Sequence, residues 1–138
     1  MTSLIWIFNT GYNLSGCGID AEKVERFINK MNPDEEFMPF VFSGEERNHF
    51  NTQNNPAKAF CAAFCAKEAF FKSISEPYNF NECEFFYSDN NSRQELKVND
   101  RLKTRYGIVS AEVIVEFVEY PAYTECVAAV YLLQEKRN

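Results

Sequence analysis

The sequence holds one histidine, His49, and no two of its cysteines are spaced as CxxC. Those two shortages remove the ordinary zinc-binding spacings. The five cysteines (Cys17, Cys61, Cys65, Cys83 and Cys126) are odd in number, and Cys61 and Cys65 share a helix face with alanines. They read as reduced thiols acting as small apolar side chains, as suits a cytoplasmic chain. Positive charge is also short: 14 Lys and Arg face 20 Asp and Glu, for a net charge of −6. No basic stripe is present and the tail "QEKRN" is too short to make one, which argues against a nucleic-acid surface. Long apolar runs are missing as well. The N-terminal "LIWIF" is far too short to cross a bilayer and has no basic segment before it, so neither a membrane span nor a signal peptide is expected. Internal repeats and low-complexity linkers are absent.

What the chain has in abundance is aromatic surface. Hydrophobic residues make up 46% and aromatics 16% of 138 residues, with 14 phenylalanines, which excludes a disordered chain. One domain over 1–138 is the simplest organisation, long enough to bury roughly two-thirds of its unfolded surface around a ring-rich core.

Periodicity sets the expected elements. "LSGCGID" (14–20) reads as a short strand ending at an acidic residue, with Gly16 and Gly18 permitting close backbone approach. A helix is expected from Ala21, with Val24, Phe27, Ile28 and Met31 at helical steps, stopping before Pro33. Ser43 caps a second helix with Glu45 and Glu46 in its first turn, and 56–75 forms the strongest helix, with Pro56 near its first position. Strands are expected at 81–89 and, after a polar turn, at "LKVN". A helix follows over 99–107, then strands over 110–120 and 124–134. The order β–α–α–α–β–β–α–β–β gives an α+β class, with helices packed on one face of a largely antiparallel sheet.

Chemistry enters at "AAFCAKEAFFKSI" (62–74), where Lys67, Glu68 and Lys72 interrupt a greasy helix. Glu68 and Lys72, at i and i+4, are neighbours on one face. They form either a solvated surface pair or part of a site. The second reading draws on Asp20, which follows a glycine-rich strand 48 residues earlier. Two carboxylates from different elements suit Mg²⁺, a hard cation that completes its shell with water and phosphate oxygens.

With these residues in view the chain resembles the holo-acyl-carrier-protein synthases, the small type of 4′-phosphopantetheinyl transferase. "GIDAEKVERF" (18–27), "FSGEE" (42–46) and "FCAKEAFFKSI" (64–74) are similar to that family's G-x-D strand, S/T-x-x-E segment and F-A-x-K-E-A-x-x-K block, in order, and the likeness runs from about residue 14 to 134. The resemblance implies the 4′-phosphopantetheinyl transferase fold. It also implies Mg²⁺-dependent transfer of phosphopantetheine from coenzyme A to a serine of an apo acyl carrier protein. It implies Asp20 and Glu68 as metal ligands, Lys72 assisting the leaving phosphate, and Lys67 holding nucleotide phosphates. Glu46 would lie near the site, and Arg26 would have a structural or carrier-facing role.

The chain also departs from the family's pattern. A family arginine falls near Ala63, the G-K-P turn becomes Ser92–Gln94 with Arg93 as the remaining basic contact to coenzyme A, and "EYPA" (119–122) holds no histidine. Residues 1–13 form an extension. These departures leave a second reading, a catalytically weakened homologue that still binds coenzyme A or a carrier protein. The resemblance further implies a homotrimer, with apolar strand faces such as 113–117 between subunits. An acidic carrier could dock on Lys23, Arg26 and Lys30, which share a face if all are helical.

Overall fold

The computed structural model describes residues 11–30, 37–89 and 94–136. Strand β1 (Tyr12–Lys23) is followed by the short helices α1 (Arg26–Lys30) and α2 (Phe37–Val41), then α3 (Gly44–Asn51) and the long α4 (Pro56–Ile74). A 3₁₀ turn (Phe80–Glu82) leads into β2 (Cys83–Glu84), β3 (Gln94–Val98), α5 (Asp100–Tyr106), β4 (Ser110–Glu119) and β5 (Thr124–Glu135). The sheet order is β1-β5-β4-β3-β2, and every pairing is antiparallel. The α+β expectation therefore holds.

Three expected boundaries are corrected. Asp20 does not end its strand. β1 continues to Lys23 because it pairs with β5 along its length, from Tyr12 opposite Glu135 to Lys23 opposite Glu125. The pairing takes Ala21–Lys23 out of the expected helix, which begins only at Arg26, while Met31 lies outside the described residues. The strand at 81–89 shrinks to Cys83–Glu84, and an unexpected helical turn, α2, stands at Phe37–Val41.

α4 is the centre of the molecule. It starts at Pro56, with the Asn55 side chain accepting from Lys58 N at 3.2 Å, which satisfies an amide that has no partner within the helix. One side, carrying Cys61, Cys65 and Ala69, lies on β1 and β5; the other is covered by α1, α3 and their rings. A helix apolar on nearly all sides must be enclosed on nearly all sides. Phe27, Phe37 and Phe64 form a tilted cluster with centroids 5.4 to 6.1 Å apart, and Phe42, Phe50 and Phe60 form an edge-to-face one at 5.1 to 6.0 Å.

The inward face of β4 carries Val113, fully buried, with Val115 and Phe117 packed against the core. The apolar face that the described residues leave uncovered is the opposite one. There Ile19, 63% exposed, stands level with Ala129 and Ile114, beside Val118 and Val127. Among the described residues no helix is long and apolar enough to cross a membrane.

Candidate active site

Two glycines let β1 approach α4. A β-carbon built on Gly18 would stand 2.1 Å from the carbonyl oxygen of Ala69, and one on Gly16 would stand 3.3 Å from that of Ser73. The strand therefore crosses the helix backbone to backbone, a contact that any side chain at residue 18 would block. Alternation along the strand then turns Asp20 and Glu22 to the same side as Gly18, toward Glu68 and Lys72. Because β1 is an edge strand, the group forms at the rim of the sheet.

The arrangement is an acidic pair with one lysine. Lys72 Nζ donates to Asp20 Oδ1 at 2.6 Å; the Asp20 side chain is 9% exposed and that of Lys72 is 45% exposed. Asp20 Oδ2 is buried and has no hydrogen-bond donor among the described residues. Glu68 lies against Asp20, and its carboxyl is pushed from 4.5 up to about 7, first by its own burial, then by contact with Asp20 and by Asp20's charge, with Lys72 pulling the other way. That contact supplies a hydrogen bond only while Glu68 carries a proton. Once Glu68 ionises, two carboxylates face each other with no donor between them. Lys72 is held above its ordinary value by its hydrogen bond to Asp20, so it stays cationic.

A group that needs either a proton or a cation between its oxygens fits a hard divalent ion. The orphaned Asp20 oxygen and the raised Glu68 carboxyl are what such an ion would satisfy. Glu22 is an addition that the sequence reading missed. It adds to the negative field on Glu68 and pairs with Arg26. Its signal was its place two residues after Asp20 on one strand face, hidden while residue 21 was read as a helix start.

The other expected residues scatter. Lys67 is fully buried, and its three protons go to Glu46 Oε1 at 2.7 Å, Val41 O at 2.7 Å and Phe80 O at 3.3 Å. Its ammonium is held in the core rather than at the rim beside Glu68, where the expectation put it. Glu46 is likewise fully buried. Besides Lys67 it takes the amides of Ser43 and Phe85, both at 2.9 Å, as part of a capping box that fixes α3. It serves as the counter-ion of Lys67 in the core, apart from the rim where Asp20 meets Lys72. Lys67 and Glu68 are neighbours in sequence, but about 100° of helix turn sends one into the core and the other to the rim.

Arg26 is half-exposed and tied to Glu22. Lys23 lies on β1 with its ammonium 4.5 Å from the centre of the Tyr123 ring, so the helical face expected for Lys23, Arg26 and Lys30 does not exist. Arg93 and the side chain of Lys30 lie outside the described residues. Four of the cysteines are buried as expected, and Cys17 is exposed.

Comparison with known proteins decides the lineage. The family model of the 4′-phosphopantetheinyl transferase superfamily matches residues 16–122, most of the chain. The chain belongs to the 4′-phosphopantetheinyl transferase superfamily. No curated protein matches the sequence significantly. Among solved structures it is similar to a holo-ACP-synthase from Plasmodium yoelii, with a TM-score of 0.67 and 20% identity over 92% of this chain and 100% of that one. It is also similar to the holo-[acyl-carrier-protein] synthase from Neisseria meningitidis, at 0.64 and 21% over 87% and 98%. A third is the Chronobacterium ammoniagenes acyl carrier protein synthase in complex with coenzyme A, at 0.57 and 23% over 88% and 98%. At these identities the structural likeness speaks for the fold. The matched segment contains Gly18, Asp20, Glu68 and Lys72.

Proposed function

We propose that the chain is a holo-acyl-carrier-protein synthase, which moves the 4′-phosphopantetheine of coenzyme A onto a serine of an apo acyl carrier protein. The supporting observation is the Asp20–Glu68 carboxylate pair with its buried orphan oxygen, set beside Lys72 by the contact of Gly18 with Ala69. In the reaction a bond forms between the serine oxygen and the β-phosphorus of coenzyme A. The bond from that phosphorus to the bridging oxygen breaks, and 3′,5′-adenosine bisphosphate leaves as the serine gives up its proton.

Asp20 and Glu68 would hold Mg²⁺, which supplies charge neutralisation at the pyrophosphate. Lys72, kept cationic by Asp20 and reaching solvent, donates to the leaving phosphate and offsets the charge that develops there. The catalytic group is thus Asp20, Glu68 and Lys72. Coenzyme A is the co-substrate and the carrier protein the partner.

The site stands on an edge strand, next to an apolar sheet face that the described residues leave uncovered at Ile19, Ile114 and Ala129. A homotrimer that covers this face is the assembly we infer, in place of one built on Val113, Val115 and Phe117, which pack on the core.

The test is chromatographic. The chain, coenzyme A, Mg²⁺ and an apo acyl carrier protein are incubated and 3′,5′-adenosine bisphosphate is quantified. Release that needs both the carrier and Mg²⁺ is expected. Release without a carrier, or none across several carriers, would contradict the assignment.

A further inference from the structure

Where α4 crosses β5, three sulfurs meet in the core, with Cys126 paired across the sheet to Glu22. Cys61 and Cys65 stand a turn apart on α4, Cys126 stands beneath them on β5, and the three Sγ atoms lie within 4.8 Å of one another. All three residues are fully buried. Tight helix-to-sheet contact calls for small residues, and alanine fills that role along the same helix at Ala62, Ala66 and Ala69. At Cys61 and Cys65 sulfur stands instead, both aimed at a third sulfur on the facing strand.

The thiols have only weak partners besides each other: Glu22 O lies 3.8 Å from Cys61 Sγ, and Cys126 O lies 3.9 Å from Cys65 Sγ. Contacts among the three hold the Cys126 thiol below its ordinary value and push those of Cys61 and Cys65 above it. In trigonal coordination with metal–sulfur bonds of about 2.3 Å, sulfurs stand about 4.0 Å apart. The cluster reaches that spacing by small side-chain adjustments. Among the described residues no His, Asp or Glu joins the group as a fourth ligand. That argues against Zn²⁺, which takes four, and favours a soft cation content with three sulfurs.

We propose that Cys61, Cys65 and Cys126 form a three-sulfur site for a soft d¹⁰ cation, with Cu⁺ the best match, which pins α4 to β5. Loading is a substitution without redox change. Cu⁺ takes two thiolates and one thiol, and two protons leave to solvent. The site is independent of the transferase reading, since it uses none of that reaction's residues.

The experiment is an anaerobic titration of the purified chain with Cu⁺ against a chromophoric Cu⁺ chelator, both by addition to the folded chain and by refolding with the ion present. One Cu⁺ per chain is expected, with three sulfurs in its shell by X-ray absorption. Cys61→Ala, Cys65→Ala and Cys126→Ala, each checked for native circular dichroism, should each weaken retention at least tenfold. Cys83→Ala, a buried thiol outside the cluster, and Cys17→Ala, the exposed one, should leave it unchanged. Failure of the wild type to hold Cu⁺ by either route would overturn the proposal. So would a shell of nitrogen and oxygen, or loss of binding in Cys17→Ala alone. Should a cluster variant misfold, the sulfur count on the loaded wild type decides the matter by itself.

Discussion

Replacing Gly18 with alanine tests the placement of the site through a single added methyl group. The new carbon would lie 2.1 Å from the Ala69 carbonyl, where ordinary contact begins at 3.4 Å, and the obstructing atom is helix backbone. β1 must therefore retreat by about 1 Å, and forced overpacking of this kind typically costs about 1–3 kcal/mol of stability. The larger effect falls on chemistry. Asp20 is two residues along the strand and moves away from Glu68 and Lys72, and a displacement of about 1 Å can cost roughly 100-fold in rate. Two neighbouring glycines calibrate the result. A β-carbon at Gly16 meets Ser73 O at 3.3 Å, and one at Gly11 meets nothing within 4 Å. The expected order in kcat/KM for carrier modification is Gly11→Ala near wild type, Gly16→Ala mildly impaired, and Gly18→Ala lowest, with thermal unfolding following the same order. A Gly18→Ala protein with wild-type activity and Tm would refute the backbone crossing as the device that positions Asp20.

Further outcomes follow from the same geometry. Asp20→Ala and Glu68→Ala should each abolish Mg²⁺-dependent transfer and leave the fold intact by circular dichroism. Lys72→Ala should lower kcat by about 100-fold or more, the scale for removing one donor to developing charge. Glu68, raised from 4.5 to about 7, binds its proton in the folded chain over a range where the unfolded chain has lost it. Without metal, stability should therefore fall as pH rises from about 4.5 to about 7, by about 1–3 kcal/mol, and level off above. Denaturant titrations of wild type and Glu68→Gln check this, since the variant should lose that slope. Mg²⁺ affinity by calorimetry should rise toward pH 7, because the ion displaces the same proton. Lys67→Met strands the Glu46 carboxylate in the core and should cost about 3–5 kcal/mol. The KM for coenzyme A of the remaining folded enzyme should stay unchanged; a raised KM with little loss of stability would return Lys67 to the phosphate site.

Much of this was legible in the sequence because local rules and global packing agree. The Pro56 start, the Ser43 cap with Glu46 three residues later, and the strand beginning at Ser110 each act within one element, and each forms as read. The triad of Asp20, Glu68 and Lys72 was legible as a pattern, while the reason for it, the Gly18–Ala69 crossing, required the fold. Where the reading failed, tertiary pairing overrode local signal. Ala21–Lys23 has helical neighbours, but β5 offers it a full ladder of partners.

Lys67 misled for a related reason. The family resemblance implied a phosphate contact for it, and no spacing rule reveals that Val41, Glu46 and Phe80 converge on its ammonium. Both Phe70 and Phe71 are buried because α4 is covered on both sides. Ala63, standing near where the family has an arginine, is fully buried as well, so the missing charge reflects a position with no path to solvent in this chain.

The most direct test of the central claim is the intact mass of an apo acyl carrier protein after incubation with coenzyme A, Mg²⁺ and this chain. With wild type the carrier should gain the mass of one phosphopantetheine; with Glu68→Gln, or with wild type plus a chelator, its mass should stay as it was. No gain with wild type on any of several carriers, or a full gain with Glu68→Gln in the presence of chelator, would contradict it.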